Sequence, residues 1–114
     1  MSTILIVEDN EKNMKLARDV LQSRGYVTLE AVTGEEGVRM AIEKKPDLVL
    51  MDIMMPEMDG YETMALIRSK PALRRLPIIA LTAKAMKGDR EKCLEAGASD
   101  YLAKPVNTEQ LFSA

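Results

Sequence analysis

The sequence predicts an α/β domain, a five-stranded parallel sheet with helices on both faces. Two observations carry this. Short unbroken apolar runs recur at Ile4–Val7, Leu48–Met51 and Ile78–Leu81, and strands covered on both faces read as continuous apolar stretches. The segments between them repeat their apolar residues at helical spacing, and strands alternating with helices build parallel sheets. The 114 residues fit one domain, with 46% hydrophobic and 30% charged residues, an ordinary globular balance. A chain of this size buries roughly two-thirds of its unfolded surface and folds without disulfide or structural metal.

Each element follows in order. Ile4 to Val7 is the first buried strand. Asn10 caps a helix in which Met14, Ala17, Val20, Leu21 and Arg24 share a face, and Gly25 stops it. Val27 to Ala31 is a second, weaker strand. Thr33 caps a helix with an apolar stripe of Val38, Ala41 and Ile42, ended by Lys44-Lys45-Pro46. Leu48 to Met51 is the third strand. Residues 53–59 form a loop punctuated by Pro56 and Asp59-Gly60. A helix follows with Tyr61, Met64, Ala65 and Ile67 inward. Pro71 and Pro77 bracket the connection to the fourth strand, Ile78 to Leu81. Met86, Arg90, Cys93 and Leu94 share the face of the next helix, which ends at Ala96-Gly97. Tyr101 to Ala103 is a short fifth strand. Asn107 or Thr108 begins a last helix of about two turns, expected to stop short of its natural end. Residues 1–114 therefore read as one domain, cut from a longer chain or complete but for that helix end.

Right-handed crossovers leave few arrangements for such a chain. The flavodoxin-like order 2-1-3-4-5 sets the first and third strands side by side at the switch point, where ligands bind beyond the carboxyl ends of the strands. Both strands finish in acids: Glu8 and Asp9 follow the first, and Asp52 ends the third. Like charges gathered at one edge need a cation, or one of them stays protonated. Magnesium fits, because it takes one or two carboxylates, keeps several waters and accepts a phosphate oxygen. Asp9 and Asp52 are the expected direct ligands, Glu8 acts through water, and a loop carbonyl such as that of Met54 completes the shell. Asp52 keeps a free oxygen, and a carboxylate can attack phosphorus to give an aspartyl phosphate. Thr82, after the fourth strand, and Lys104, after the fifth, would position the phosphoryl group and offset its charge.

These residues resemble a family. Val7-Glu8-Asp9-Asn10, Leu50-Met51-Asp52-Ile53-Met54-Met55-Pro56, Asp59-Gly60, Leu81-Thr82-Ala83 and Tyr101-Leu102-Ala103-Lys104-Pro105 together look like a response-regulator receiver domain, over almost the whole chain and in order. Single-domain receivers and those attached to hybrid histidine kinases are equally similar. The resemblance implies that Asp52 is the phosphoacceptor, Glu8 and Asp9 the acidic pocket, Thr82 the switch hydroxyl, Tyr101 the switch aromatic and Lys104 the phosphate-binding lysine. It implies two-component signalling. The chain would accept a phosphoryl group from a phosphohistidine on a histidine kinase or histidine phosphotransfer protein, with Mg2+, and signal to a downstream protein target. It is then a signalling module with its own self-phosphorylation and self-dephosphorylation chemistry, and not an enzyme in the usual sense.

Composition excludes much else. The chain has no histidine, hence no His-based triad, no His-ligated metal and no phosphohistidine of its own. Cys93 is the single cysteine, so neither an internal disulfide nor zinc spacing is possible. The net charge is −2 with mixed signs, unlike a nucleic-acid footprint. No apolar stretch reaches bilayer length and no signal peptide is read, so a cytoplasmic monomer without membrane or nucleic-acid contact is expected. A Mg-dependent phosphohydrolase with an aspartyl nucleophile is the alternative. Such enzymes place an acid two residues after the nucleophile, and here that residue is Met54, which has no acid–base chemistry. A dinucleotide binder would need a glycine-rich turn after the first strand, where this chain has Glu8-Asp9-Asn10.

Overall fold

The computed structural model describes residues 2–52, 60–82 and 89–103, the last helix of the sequence reading lying outside them. Five strands, β1 (Thr3–Val7), β2 (Val27–Ala31), β3 (Leu48–Asp52), β4 (Ile78–Thr82) and β5 (Asp100–Ala103), alternate with helices α1 (Glu11–Ser23), α2 (Gly34–Lys44), α3 (Gly60–Arg68) and α4 (Asp89–Ala96). A short 3₁₀ turn, Pro71–Leu73, lies between α3 and β4. The strands form a parallel sheet in the order β2-β1-β3-β4-β5. The register sets Val7 beside Met51 and Asp52 beside Leu81.

Alternation along the strands divides the interior in two. Ile4, Ile6, Leu50, Ile79 and Leu81 pack under Met14, Ala17 and Leu21 of α1. Leu5, Val7, Val49, Met51, Ile78 and Ala80 pack with Ala41 of α2 and Met64 and Ile67 of α3. Asn10 caps α1 by accepting a hydrogen bond from the Asn13 amide at 3.1 Å, and Thr33 caps α2 by accepting one from Glu36 at 3.1 Å. Each satisfies an amide that the first helical turn leaves without a partner.

Three expected inward residues face solvent instead. Arg24 is the exposed cap at the end of α1. In α2 the buried residues are Gly34, Gly37 and Ala41, while Ile42 is 45% exposed. The cause is close approach: a Cβ on Gly37 would lie 2.8 Å from Val7 Cγ2. The helix thus meets the sheet through its smallest side chains and turns Ile42 outward. In α3, Ala65 is exposed and Thr63 is buried with Met64 and Ile67. At the end of α4, Gly97 has φ +121°, backbone that favours a residue without Cβ. Leu94 is half-buried, while Met86 and the side chains of Arg90 and Cys93 lie outside the described residues.

Candidate functional site

The site begins with strand parity. Glu8 continues the series Ile4, Ile6, and Asp52 continues Leu48, Leu50, so both carboxylates emerge on the α1 side of the sheet. The Glu8 amide donates to the Ala31 carbonyl at 3.0 Å, which carries strand pairing one residue beyond β1 and fixes Glu8 in extended backbone. Asp9 then leaves the strand, and Asn10 starts α1. The Asn10 amide donates to Glu8 Oε2 at 3.3 Å, so Asn10 both caps the helix and orients an acid of the site.

Glu8 and Asp52 are buried, at 2% and 1% exposure, whereas Asp9 is exposed. One carboxylate oxygen from each of the three lies within 4.8 Å of the others. Three hard oxygen donors at this separation fit a small divalent cation. Two of the donors, Glu8 and Asp52, are already withdrawn from water. A cleft of about 410 Å³ opens at Glu8 and Asp9, lined also by Glu11, Met14, Lys15 and Arg18 of α1 and by Glu30 and Val32. Arg18 donates from Nη1 to both oxygens of Glu30 at 3.2 Å, and Lys15 pairs with Asp19 at 2.7 Å.

The other predicted residues divide as follows. Thr82 ends β4, one residue beyond the partner of Asp52, and its backbone reaches the same edge of the sheet. Tyr101 lies in β5 beside Ala80. The side chains of Thr82 and Tyr101, together with Met54 and Lys104, lie outside the described residues.

Sequence reasoning missed Arg68, which joins two connections at the end of the sheet opposite the acid cluster. Its Nε donates to the Gly97 carbonyl at 2.8 Å, and its Nη1 donates to the carbonyls of Leu73, Arg74 and Leu76 at 3.1, 3.1 and 2.6 Å. A basic residue in the last turn of a helix was the only signal available, and it indicates a dipole contact rather than this role.

The response regulator receiver domain model matches residues 4–114. The chain belongs to this family. Among its relatives, the polar-differentiation response regulator DivK of Brucella anthropi is 45% identical over 110 residues, covering 96% of this chain and 89% of that protein. The receiver domain of a sensor histidine kinase from Pseudomonas aeruginosa is 45% identical with a TM-score of 0.90, covering 98% of this receiver and 92% of the other chain. That structure has a magnesium ion coordinated in its active-site cleft. The chemotaxis protein CheY4 of Vibrio cholerae is 28% identical with a TM-score of 0.91, covering 99% and 94% of the two chains. This receiver is therefore a module of two-component signalling. Among its described residues no helix is long and apolar enough to cross a membrane.

Proposed function

We propose that this receiver accepts a phosphoryl group on Asp52 from a phosphohistidine of a histidine kinase or histidine phosphotransfer protein. The observation that carries the reading is the convergence of Glu8, Asp9 and Asp52 within 4.8 Å at the carboxyl edge of the sheet. Asp9, Asp52 and the Met54 carbonyl would hold Mg2+, with Glu8 one water away. Bound there, the ion would neutralise the carboxylates and screen the charge of an incoming phosphoryl group.

In the proposed reaction a carboxylate oxygen of Asp52 attacks phosphorus as the phosphorus–nitrogen bond to the donor imidazole breaks. The burial of Asp52 restricts the approach of water to the resulting acyl phosphate. Lys104 pairs with a phosphoryl oxygen, and Thr82 donates its hydroxyl to another. Tyr101 then turns into the space that Thr82 vacates, and the local charge event becomes a surface change that a downstream protein reads. Slow hydrolysis in the same pocket resets the module. The setting proposed is cytoplasmic and monomeric, without membrane or nucleic-acid contact.

The test is covalent labelling with acetyl phosphate and magnesium, read by intact mass. The wild-type protein gains one phosphoryl mass, and Asp52→Asn gains none. Equal labelling of the two proteins would move the acceptor elsewhere.

A further inference from the structure

We propose that a groove at the opposite end of the sheet docks an acidic, aliphatic segment of a partner protein. The groove has a volume of about 540 Å³ and is lined by Ile42 from the end of α2, by Leu73 and Leu76, and by Pro46, Pro71 and Pro77. Asp47 directly precedes β3 and Pro77 directly precedes β4. The groove therefore lies at the amino ends of these strands, while the acid cluster lies at the carboxyl ends of β1 and β3. Five residues of strand, roughly 16 Å, separate the two, so a partner held here leaves the acid cluster open.

Charge selects the occupant. Lys45, Lys70 and Arg75 line the groove, and none of them has an ion-pair partner among the described residues. The one acid in the lining, Asp47, is already engaged, accepting from the Thr3 amide at 2.7 Å. Lys45 stands in left-handed backbone, φ 47°, where glycine is favoured, so a cation occupies a position that backbone geometry alone would give to another residue. In a chain of net charge −2, this is a local cationic rim around an aliphatic floor.

The lining also excludes other ligands. It contains no aromatic ring on which a nucleobase could stack, and its three prolines remove backbone donors that would cradle a phosphate. Three cations from two connections exceed what one monoanionic headgroup neutralises. A peptide that alternates carboxylates with leucine or isoleucine meets both the floor and the rim, and Ile42, 45% exposed, supplies the apolar edge.

The experiment titrates isotope-labelled full chain with a capped hexapeptide of alternating glutamate and leucine, followed by amide NMR. Resonances of Ile42, Leu73 and Leu76 should shift. Affinity should fall about tenfold in the Lys70→Glu, Arg75→Glu double variant, as expected for lost charge-assisted contacts. It should fall likewise in Ile42→Asp and for a peptide with serine in place of leucine. All three substituted side chains are exposed, and unchanged spectra elsewhere in the protein establish that the variants fold. Unmoved groove amides at saturating peptide, equal affinity in the charge-reversed variant, or binding to phosphatidylglycerol vesicles with no binding to the peptide would each overturn the proposal.

Discussion

At the scale of single residues, three carboxylates share one small volume, and that arrangement opposes folding unless something answers it. Two unit charges 4.8 Å apart repel by about 1 kcal/mol at the dielectric constant of water and by ~3.5 kcal/mol at an effective value of 20. Asp9 is the exposed member, so its charge can be removed without opening a cavity. Asp9→Asn should therefore stabilise the protein in EDTA by on the order of 1 kcal/mol. In magnesium the order should invert. A ligand at hundredfold excess over its Kd adds ~2.7 kcal/mol to the native state, and the variant, with one ligand charge fewer, should gain less than about half of this. Thermal melts of both proteins, each in EDTA and in magnesium, give the four values required. If the variant kept the same rank in both buffers, the cluster would not be the metal site. These three acids were legible in the sequence because each ends or follows a buried strand, and the two-residue period of a strand fixes the face on which Glu8 and Asp52 emerge. Arg68 was not legible. Its partners are backbone carbonyls of two separate connections, and carbonyls carry no sequence signature.

At the scale of elements, Arg68 acts as a clasp. One side chain satisfies carbonyls from the turn after α3 and from the turn after α4, which come together only in the folded state. Burial pushes the guanidinium below its ordinary value, yet arginine keeps its charge in proteins at accessible pH. Each bond is therefore charge-assisted. Hydrogen bonds to charged groups contribute a net of about 1.5–3 kcal/mol apiece when fully buried, and these contributions are not additive at one partly exposed side chain. Arg68→Ala should lower stability by roughly 2–4 kcal/mol in urea denaturation. Arg68→Lys should recover little of this, because an ammonium cannot reproduce the planar fork. Full recovery with lysine would reduce the clasp to a simple charge effect. Element boundaries were largely legible, since Asn10, Thr33 and Gly97 mark helix ends by their own chemistry. The inward faces were less so: the contact of Gly37 with Val7 brings α2 onto the sheet through a glycine, and helical periodicity computed on large apolar residues puts Ile42 on the wrong side.

At the scale of the whole molecule, one sheet carries two cores. The α1 side and the α2–α3 side share the same three central strands and no side chains. The strand order was legible because right-handed crossovers and apolar runs allow few alternatives; the division of the interior follows from alternation along each strand. Loosening either face should weaken the strands that the other face also needs, so both cores should melt in one cooperative transition. Leu21, wholly buried under the α1 side, and Ile67, wholly buried under the opposite side, probe this. Leu21→Ala should cost about 2–5 kcal/mol and Ile67→Val about 0.5–1.5 kcal/mol. With no partner in common, the two losses should add within ~0.5 kcal/mol. The slope of the denaturant dependence should stay at its wild-type value, because the same surface is exposed on unfolding. Urea titrations of the wild type, the two single variants and the double variant, followed in parallel by far-ultraviolet circular dichroism and tyrosine fluorescence, decide the matter. Non-coincident curves in Leu21→Ala would mean that the α1 side unfolds alone. The acid cluster, whose Glu8 and Asp52 emerge on that side, would then be coupled to a local opening rather than to the stability of the whole sheet.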